Sequence, residues 1–260
     1  MVFEKDLSRR SFMVAAAGLS AGILSGCGTT TALPAKAPRE APDYFFQTMA
    51  ARSDVISTIN FDKELADWLP NRLFEIDGGS ARPLGAGLVL GTIAKVTGGR
   101  GYVDRDDSDG DNDEGGETVA FDSPDALWRT IDVTMSVTKS WGAPAPEGTV
   151  QFGIAFGGNK DYNRLVASLA SVGTAVVPLL KPGFFRYDLD LYSVGRNGVL
   201  LGTVDGAGNL HFPSLAAVSD KEENLDVEKT FLSDIRTAED LESQAGEGPT
   251  VVQIKGGERL

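Results

Sequence analysis

The chain has 260 residues and a formal net charge of −13 at pH 7, and 42% of its residues are hydrophobic. An acidic balance of this size disfavours binding to the phosphates of nucleic acids and broad contact with anionic lipid surfaces. The single cysteine excludes an intrachain disulfide, so a packed core must supply the stability. The length suffices for one sizeable core or two small ones.

The first segment, residues 1–26, has the pattern of an export signal. Arg9 and Arg10 precede an apolar stretch from Phe12 onward, and about 12 apolar residues are too few to span a bilayer, which takes roughly 20. The Ser-Arg-Arg-x-Phe pattern resembles the twin-arginine export signal, which implies export in the folded state. Leu24-Ser25-Gly26-Cys27 resembles the lipobox of bacterial lipoproteins, which implies cleavage before Cys27 and acylation of that residue. The prediction is a lipid-anchored protein on the extracytoplasmic face of the cell membrane, and the alternative is a buried free cysteine in an apolar helix.

Composition divides the rest of the chain into three parts. Residues 27–42 contain three consecutive threonines and three prolines, and such a composition stays extended, so we expect a disordered tether behind the lipidated cysteine. Residues 43–245 are expected to form a single β-rich globular domain, with an acidic loop at 104–117. Residues 246–260 are expected to form a polar C-terminal tail.

The globular part carries a series of predicted strands, of which Leu127–Lys139 has the clearest alternation. Its apolar residues Ile131, Val133 and Met135 alternate with polar ones, which predicts one buried face and one solvated face. Such alternation is typical of an antiparallel sheet or a barrel wall. In chain order, the other predicted elements begin with helical segments within Asp43–Pro70, a strand at Leu88–Val96 with a bulge or bend at Gly91, and a strand at Val150–Phe156. A helix at Tyr162–Val172 follows, and then strands at Ala175–Leu180, Phe184–Val194, Val199–Val204 and Leu210–Phe212. The last elements are a charged helical segment at Val227–Ala245, capped by Thr237 with Asp240, and an edge strand at Val251–Ile254.

These elements predict an α+β, β-rich fold, in which an antiparallel twisted sheet or small barrel is flanked by N- and C-terminal helices. Three stretches resemble secreted oligonucleotide-binding-like (OB-like) and netrin-like barrels: Leu90-Gly91-Thr92-Ile93, Gly157-Gly158 and Val177-Pro178-Leu179-Leu180-Lys181-Pro182. The resemblance covers roughly 100 residues and implies a barrel without a catalytic residue.

The acidic loop is a candidate calcium site, because carboxylates are the ligands that calcium prefers. The spacing does not fit an EF-hand, since placing Gly110 at the sixth position puts Arg105 at the first and Gly116 at the last. The competing interpretation is a self-repelling acidic loop between two strands. We predict no cofactor, and calcium is the alternative at four aspartates: Asp107, Asp109, Asp111 and Asp113.

Two features could indicate a nucleophilic enzyme, namely a Ser-x-x-Lys pattern and the single histidine. Ser136-Val137-Thr138-Lys139 matches the Ser-x-x-Lys pattern, which needs both side chains on one helical turn. Here the motif lies in a predicted strand, where residues three apart face opposite sides. His211 is the only histidine, so any Ser/His/Asp mechanism would run through it, and its place at a predicted strand end indicates a structural role.

Carboxylates near the strands could form an acid–base pair, and aromatic residues there could line a binding groove. Solvated strand faces also explain the carboxylates, and core packing also explains the aromatic residues. The candidates are Asp188, Asp190 and Asp205 for the acidic set, and Trp128, Trp141, Phe184, Phe185, Tyr187 and Tyr192 for the aromatic set. The sequence thus predicts a membrane-anchored, non-enzymatic binding or scaffold module at the cell envelope, with an envelope protein or small ligand as its partner. The alternatives are a carboxylate-dependent hydrolase of envelope carbohydrate and a calcium-responsive adhesion module.

Overall fold

The computed structural model describes residues 41–51, 65–103, 117–142, 148–182, 190–215 and 235–254. The helices are α1 (Asp43–Ala50), α2 (Tyr162–Ala170) and α3 (Ala238–Ala245), with 3-10 turns at Leu65–Trp68 and Gly195–Gly198. The strands are β1 (Arg72–Ile76), β2 (Arg82–Pro83), β3 (Gly87–Val103), β4 (Glu117–Val119), β5 (Trp128–Trp141), β6 (Thr149–Gly157), β7 (Thr174–Leu180), β8 (Tyr192–Val194), β9 (Gly202–Val204), β10 (Leu210–His211) and β11 (Thr250–Ile254). Strand exceeds helix, and a large twisted sheet carries a few helices, which confirms the predicted α+β class.

Five strands of the larger sheet form a closed ring. Strand β3 pairs antiparallel with β5 on one side and with β7 on the other, so that Leu88 lies opposite both Trp141 and Pro178. From β5 the ring continues through β6, antiparallel, and β8, parallel, and β8 returns to β7 as an antiparallel neighbour. We call these five strands the barrel. Strands β4, β9 and β10 extend the sheet beyond it.

The alternation of the sequence decides which side chains fill the barrel. Ile131, Val133 and Met135 of β5 are at most 1% exposed, and Phe152 and Ile154 of the neighbouring β6 are fully buried. The residues between them face outward, as expected for period-two strands. The sequence therefore places the core on the inner side of the ring.

Glycine lets the 17-residue strand β3 bend between its two partners. The register with β5 shifts at three places, one of them between Leu90 and Gly91, which confirms the predicted bulge. A Cβ atom at Gly91 would collide with the carbonyl group of Ser136. Only a residue without a side chain permits this close approach of the two backbones.

Helix α2 joins the barrel core to the start of the domain. Asp161 caps the helix by accepting a hydrogen bond from the backbone N–H of Arg164 at 3.0 Å, and Leu165 is fully buried. The buried Ser168 hydroxyl accepts from the N–H of Phe45 in α1 at 2.9 Å and donates to the carbonyl of Ala41 at 2.8 Å. These bonds hold α1 against α2.

A second sheet has the strand order β11-β1-β2, and the sequence did not predict β1 or β2. The predicted edge strand at the C-terminus is confirmed as β11, which runs parallel to β1 from Thr250 opposite Arg72 to Ile254 opposite Ile76. The predicted helix cap is also confirmed, since Thr237 and the third helical residue of α3 form a reciprocal capping box.

The structure corrects the length of one predicted strand. Val199–Val204 reads as a continuous strand, but only Gly202–Val204 pairs, and Val199, Leu200 and Leu201 lie in a buried turn. An apolar run of this kind marks burial and not backbone conformation. Residues 184–189 of the predicted strand at 184–194 and residues 227–234 of the charged segment at 227–245 lie outside the described residues; β8 and α3 lie in the parts described.

No helix within the described residues is long and apolar enough to cross a membrane.

Candidate functional site

Many predicted site residues lie outside the described part of the chain, so their roles stay predictions. They are Arg9, Arg10, Phe12 and Cys27 of the export and lipid-attachment segment, Asp107, Asp109, Asp111 and Asp113 of the acidic loop, and Phe184, Phe185, Tyr187 and Asp188 between β7 and β8.

The described residues present one extended polar surface, formed by the outward side chains of β3, β5 and β6. We call it the polar wall. Since residues opposite each other in a sheet share a face, the strand register aligns its side chains in rows. From one end to the other the rows are Thr97, Asp132 and Gly153, then Lys95, Thr134 and Gln151, then Thr92, Ser136 and Thr149.

Gly153 leaves an open position in the polar wall. Among the described residues, a Cβ atom built there would meet only the Cδ1 atom of Leu191, at an ordinary contact distance of 3.7 Å, and the backbone of Gly153 has no positive φ. A Cβ atom would therefore fit, yet the position carries none. Beside it, the backbone of Gly99 lies against the Asp132 carboxylate and the Thr130 hydroxyl, and that hydroxyl accepts a hydrogen bond from the N–H of Arg100 at 3.0 Å.

Aromatic and apolar side chains bound the polar wall at the start of β5. The Trp128 ring covers Gly157, where a Cβ atom would lie 3.0 Å from the ring, and Leu127 is 53% exposed. A flat aromatic surface thus adjoins the row of small polar residues.

Arg129 fixes the loop that leads into this aromatic end. Its Nε donates to the carbonyl of Phe121 at 2.7 Å, its Nη1 to that of Ala126 at 3.0 Å and its Nη2 to that of Ser123 at 2.7 Å. The guanidinium carbon also lies 4.8 Å from the ring centroid of Tyr162. A planar fork of donors that meets three carbonyls gives the loop one defined conformation.

His211 belongs to a structural cluster in the turn between β9 and β10. Its Nε2 lies 3.1 Å from Oδ2 of Asp205, and both side chains are well exposed. Asp205 also accepts from the N–H of Ala207, the N–H of Asn209 and the side-chain amide of Asn209, all within 2.9 Å. The hydrogen bond from the Asn209 side chain and then the one from His211 hold the pKa of the Asp205 carboxyl well below its usual range. The geometry agrees with the structural role predicted for His211.

The Ser-x-x-Lys motif does not form a nucleophile pair. Both residues lie in strand β5, as predicted, and the Lys139 Nζ binds Oε2 of Glu242 in α3 at 2.8 Å. The indole N–H of Trp141 donates to the same oxygen at 3.0 Å. These hydrogen bonds, the one from Lys139 first, lower the pKa of Glu242. Lys139 and Trp141 therefore anchor α3 to the barrel.

The remaining sequence candidates separate in space. Trp128 lies at the polar wall, whereas Trp141 and Tyr192 pack against the core, and Asp190 is exposed beside β8. Gln151 and Gly153 were missed by the sequence analysis, although the alternation of Val150, Phe152 and Ile154 indicates that they face outward.

Asp132 is the one acidic residue in the three strands of the polar wall. Within the described ranges, no group of three or more His, Cys, Asp and Glu side chains is placed to hold a metal ion. Comparison of the chain with protein-family models, with curated proteins and with solved structures gives no match.

Proposed function

We propose that this protein is a lipid-anchored, non-enzymatic binding module of the cell envelope and that its polar wall binds an oligosaccharide. The observation that carries the proposal is the open glycine at position 153, beside Asp132 on a polar sheet face with an aromatic end. Glycine inside a strand weakens the strand and often marks a place where a ligand approaches the backbone.

The barrel topology supports this use of the wall. Going around the ring, the strands are β3, β5, β6, β8 and β7, which are the first, second, third, fifth and fourth barrel strands along the chain. Helix α2 lies in the sequence between the third and the fourth of these strands. This arrangement agrees with the OB-like resemblance of the sequence. In OB barrels the face of the second and third strands binds oligonucleotides or oligosaccharides. Here those strands are β5 and β6.

Charge and side-chain chemistry favour the oligosaccharide. A net charge of −13 opposes a polyphosphate ligand. Thr134 and Gln151 offer hydroxyl and amide groups to hydroxyl-rich ligands, and Trp128 offers an apolar ring face. A glycosidase needs two carboxyl groups that flank the scissile bond, and these three strands supply only Asp132. The wall therefore fits binding better than hydrolysis.

The test of the wall is retention of the full-length protein on insoluble envelope polysaccharide, including purified cell-wall glycan. Gly153→Tyr fills the open position and should abolish retention while the circular dichroism spectrum stays unchanged. Gly206→Tyr is the matched control, because a Cβ atom at Gly206 in the turn between β9 and β10 meets no atom within 4 Å. Trp128→Ala should also weaken retention, because it removes the apolar ring face at the end of the wall.

Three outcomes would count against the proposal. Wild-type protein that is not retained on any glycan would refute the ligand class. Equal retention of the Gly153→Tyr and wild-type proteins would refute the wall as the site. Release of reducing sugar by the wild type that stops in Asp132→Asn would favour the hydrolase instead.

The anchor is tested separately by fractionation of bacterial cells that express the full chain. Cys27→Ser should move the protein from the membrane fraction to the soluble extracytoplasmic fraction, because acyl chains supply the membrane affinity. If the variant stays on the membrane, the predicted lipid anchor is wrong. The retention assay still tests glycan binding independently of this result.

A further inference from the structure

The ring of the barrel closes through a short stretch of chain. Strand β8 has three residues, Tyr192–Val194, and it joins β6 to β7. It makes two residue pairs with β6 and two with β7. We call β8 and the 3-10 turn that follows it, Gly195–Gly198, the seam. A segment held by few backbone pairs opens at a lower cost in free energy than the long strands of the same sheet.

Asn197 extends the contact between the seam and β6 beyond the end of β8. Its Oδ1 accepts a hydrogen bond from the N–H of Ala155 in β6 at 3.2 Å. The next residue, Gly198, lies against the core, since a Cβ atom there would be 3.1 Å from Cγ2 of Ile154 and 3.2 Å from the sulfur of Met49. A change at position 197 would therefore disturb both the contact with β6 and the packing of the turn.

Asn197-Gly198 is the one place in the sequence where glycine follows asparagine. Asparagine in this position loses ammonia readily, because no side chain shields the backbone nitrogen of the glycine. The nitrogen of Gly198 forms a bond to Cγ of Asn197, the Cγ–Nδ2 bond breaks, and ammonia leaves with the proton of the Gly198 N–H. Water then opens the succinimide at one of its two carbonyl carbons. The product is aspartate or isoaspartate at position 197.

The folded backbone keeps the two reacting atoms apart. Asn197 has a φ of +49°, in the left-handed region, where ψ is about +30 to +60°. At such a ψ the Cβ atom of an L residue lies nearly opposite the following nitrogen across the Cα–C bond, whereas a succinimide needs both atoms on the same side. The core contacts of Gly198 oppose the necessary rotation. The attack on Cγ therefore requires the seam to open.

We propose that Asn197 is a site of spontaneous deamidation that reacts when the seam opens, and that the isoaspartate product keeps the seam from closing again. Isoaspartate carries the main chain through its former side chain, which adds a methylene group to the backbone, so Gly198 no longer fits its place against the core. The new carboxylate also adds negative charge to a chain that already carries −13. The proposal does not rest on glycan binding or on the lipid anchor.

Incubation of the purified full-length protein at mildly alkaline pH tests the site, and peptide mass spectrometry follows the change from amide to carboxylate. Asn197 should react in denaturant and should react at least about tenfold more slowly in the folded protein. Asn209 is the internal control and should stay intact in both samples, because the side chain of Leu210 shields the nitrogen that follows it. The deamidated fraction, separated by its charge, should melt at a lower temperature than the unreacted protein.

Two valine variants distinguish opening of the seam from unfolding of the whole domain. Val194→Ala removes buried methyl groups from β8 and should speed the reaction of Asn197 in the folded protein about tenfold. Val89→Ala makes the same change in β3, which does not pair with β8, and should change the rate by less than about twofold. The proposal is overturned if Asn197 stays intact in denaturant, if it reacts equally fast in the folded protein, if Val194→Ala leaves the rate unchanged, if both variants speed the reaction equally, or if the deamidated fraction melts like the unreacted protein.

Discussion

Replacing Gly153 by alanine separates the effect of this glycine on stability from its proposed role in glycan binding. The backbone there has no positive φ, and within the described part of the chain the added Cβ would meet only Leu191 at 3.7 Å, so the described strands of the barrel leave room for a methyl group. Alanine also reduces the conformational freedom of the unfolded chain, and we expect Gly153→Ala to stabilise the protein by about 0.5–1 kcal/mol. For a domain of this size that gain raises the melting temperature by about 1–4 °C.

The assay combines thermal unfolding, followed by circular dichroism, with glycan retention of the same samples. Gly91→Ala is the contrast, because its Cβ would collide with the backbone carbonyl of Ser136. We expect that variant to lose about 1–3 kcal/mol, as overpacked sites do. Gly153→Ala should gain stability and lose retention, whereas Gly91→Ala should lose stability. A destabilised Gly153→Ala protein would refute the reasoning, since the glycine would then serve packing and not a ligand.

Three further predictions concern the supports of the barrel. Arg129→Lys should lower the free energy of unfolding by about 2 kcal/mol, because an ammonium group can keep only one of the three carbonyl partners and each lost hydrogen bond costs about 1 kcal/mol. Arg100→Lys, at an exposed arginine, is the control and should leave the melting temperature unchanged. Thr237→Ala removes the helix cap and should lower the free energy of unfolding by about 1 kcal/mol, measured by thermal unfolding. An unchanged melting temperature would contradict the role of the capping box. Asp205 has a lowered pKa when folded, so its stabilising contribution is complete above the ordinary carboxyl range near pH 4 and is lost as the pH falls below that range. The difference in melting temperature between wild type and Asp205→Asn should therefore shrink from pH 6 to pH 2.5, with Asp190→Asn as the exposed control, and a difference that grows on acidification would contradict the assignment.

Local pattern was enough to predict the long strands and their inner faces. The alternation around Ile131 and Met135 predicted both strand β5 and its buried side, because period-two burial depends only on neighbours along the chain. The cap at Thr237 and the bulge at Gly91 were likewise confirmed, since each depends on a few adjacent residues.

The closure of the barrel could not be read from local pattern. It depends on β8, a strand of three residues that runs parallel to β6 and antiparallel to β7. A three-residue strand has too few positions to show a period, and alternation does not distinguish the direction of a neighbour. Strands β1 and β2 escaped prediction for the same reason, as short segments whose pairing with each other and with β11 is set by tertiary contacts.

A proposed binding face such as the polar wall is harder to predict from sequence than a core. Thr134 and Gln151 are outward polar residues of the kind that any solvated strand carries, so alternation alone assigns them to solvent. Glycine is the informative residue, because an ordinary solvated face gains nothing from it and loses strand stability. One wall glycine has a packing reason, since Trp128 covers Gly157. Gly153 has only an ordinary contact above it, and sorting glycines by what a Cβ would meet requires coordinates. The sequence supplies the residue, but only the fold shows that its place on the wall has room for a Cβ atom.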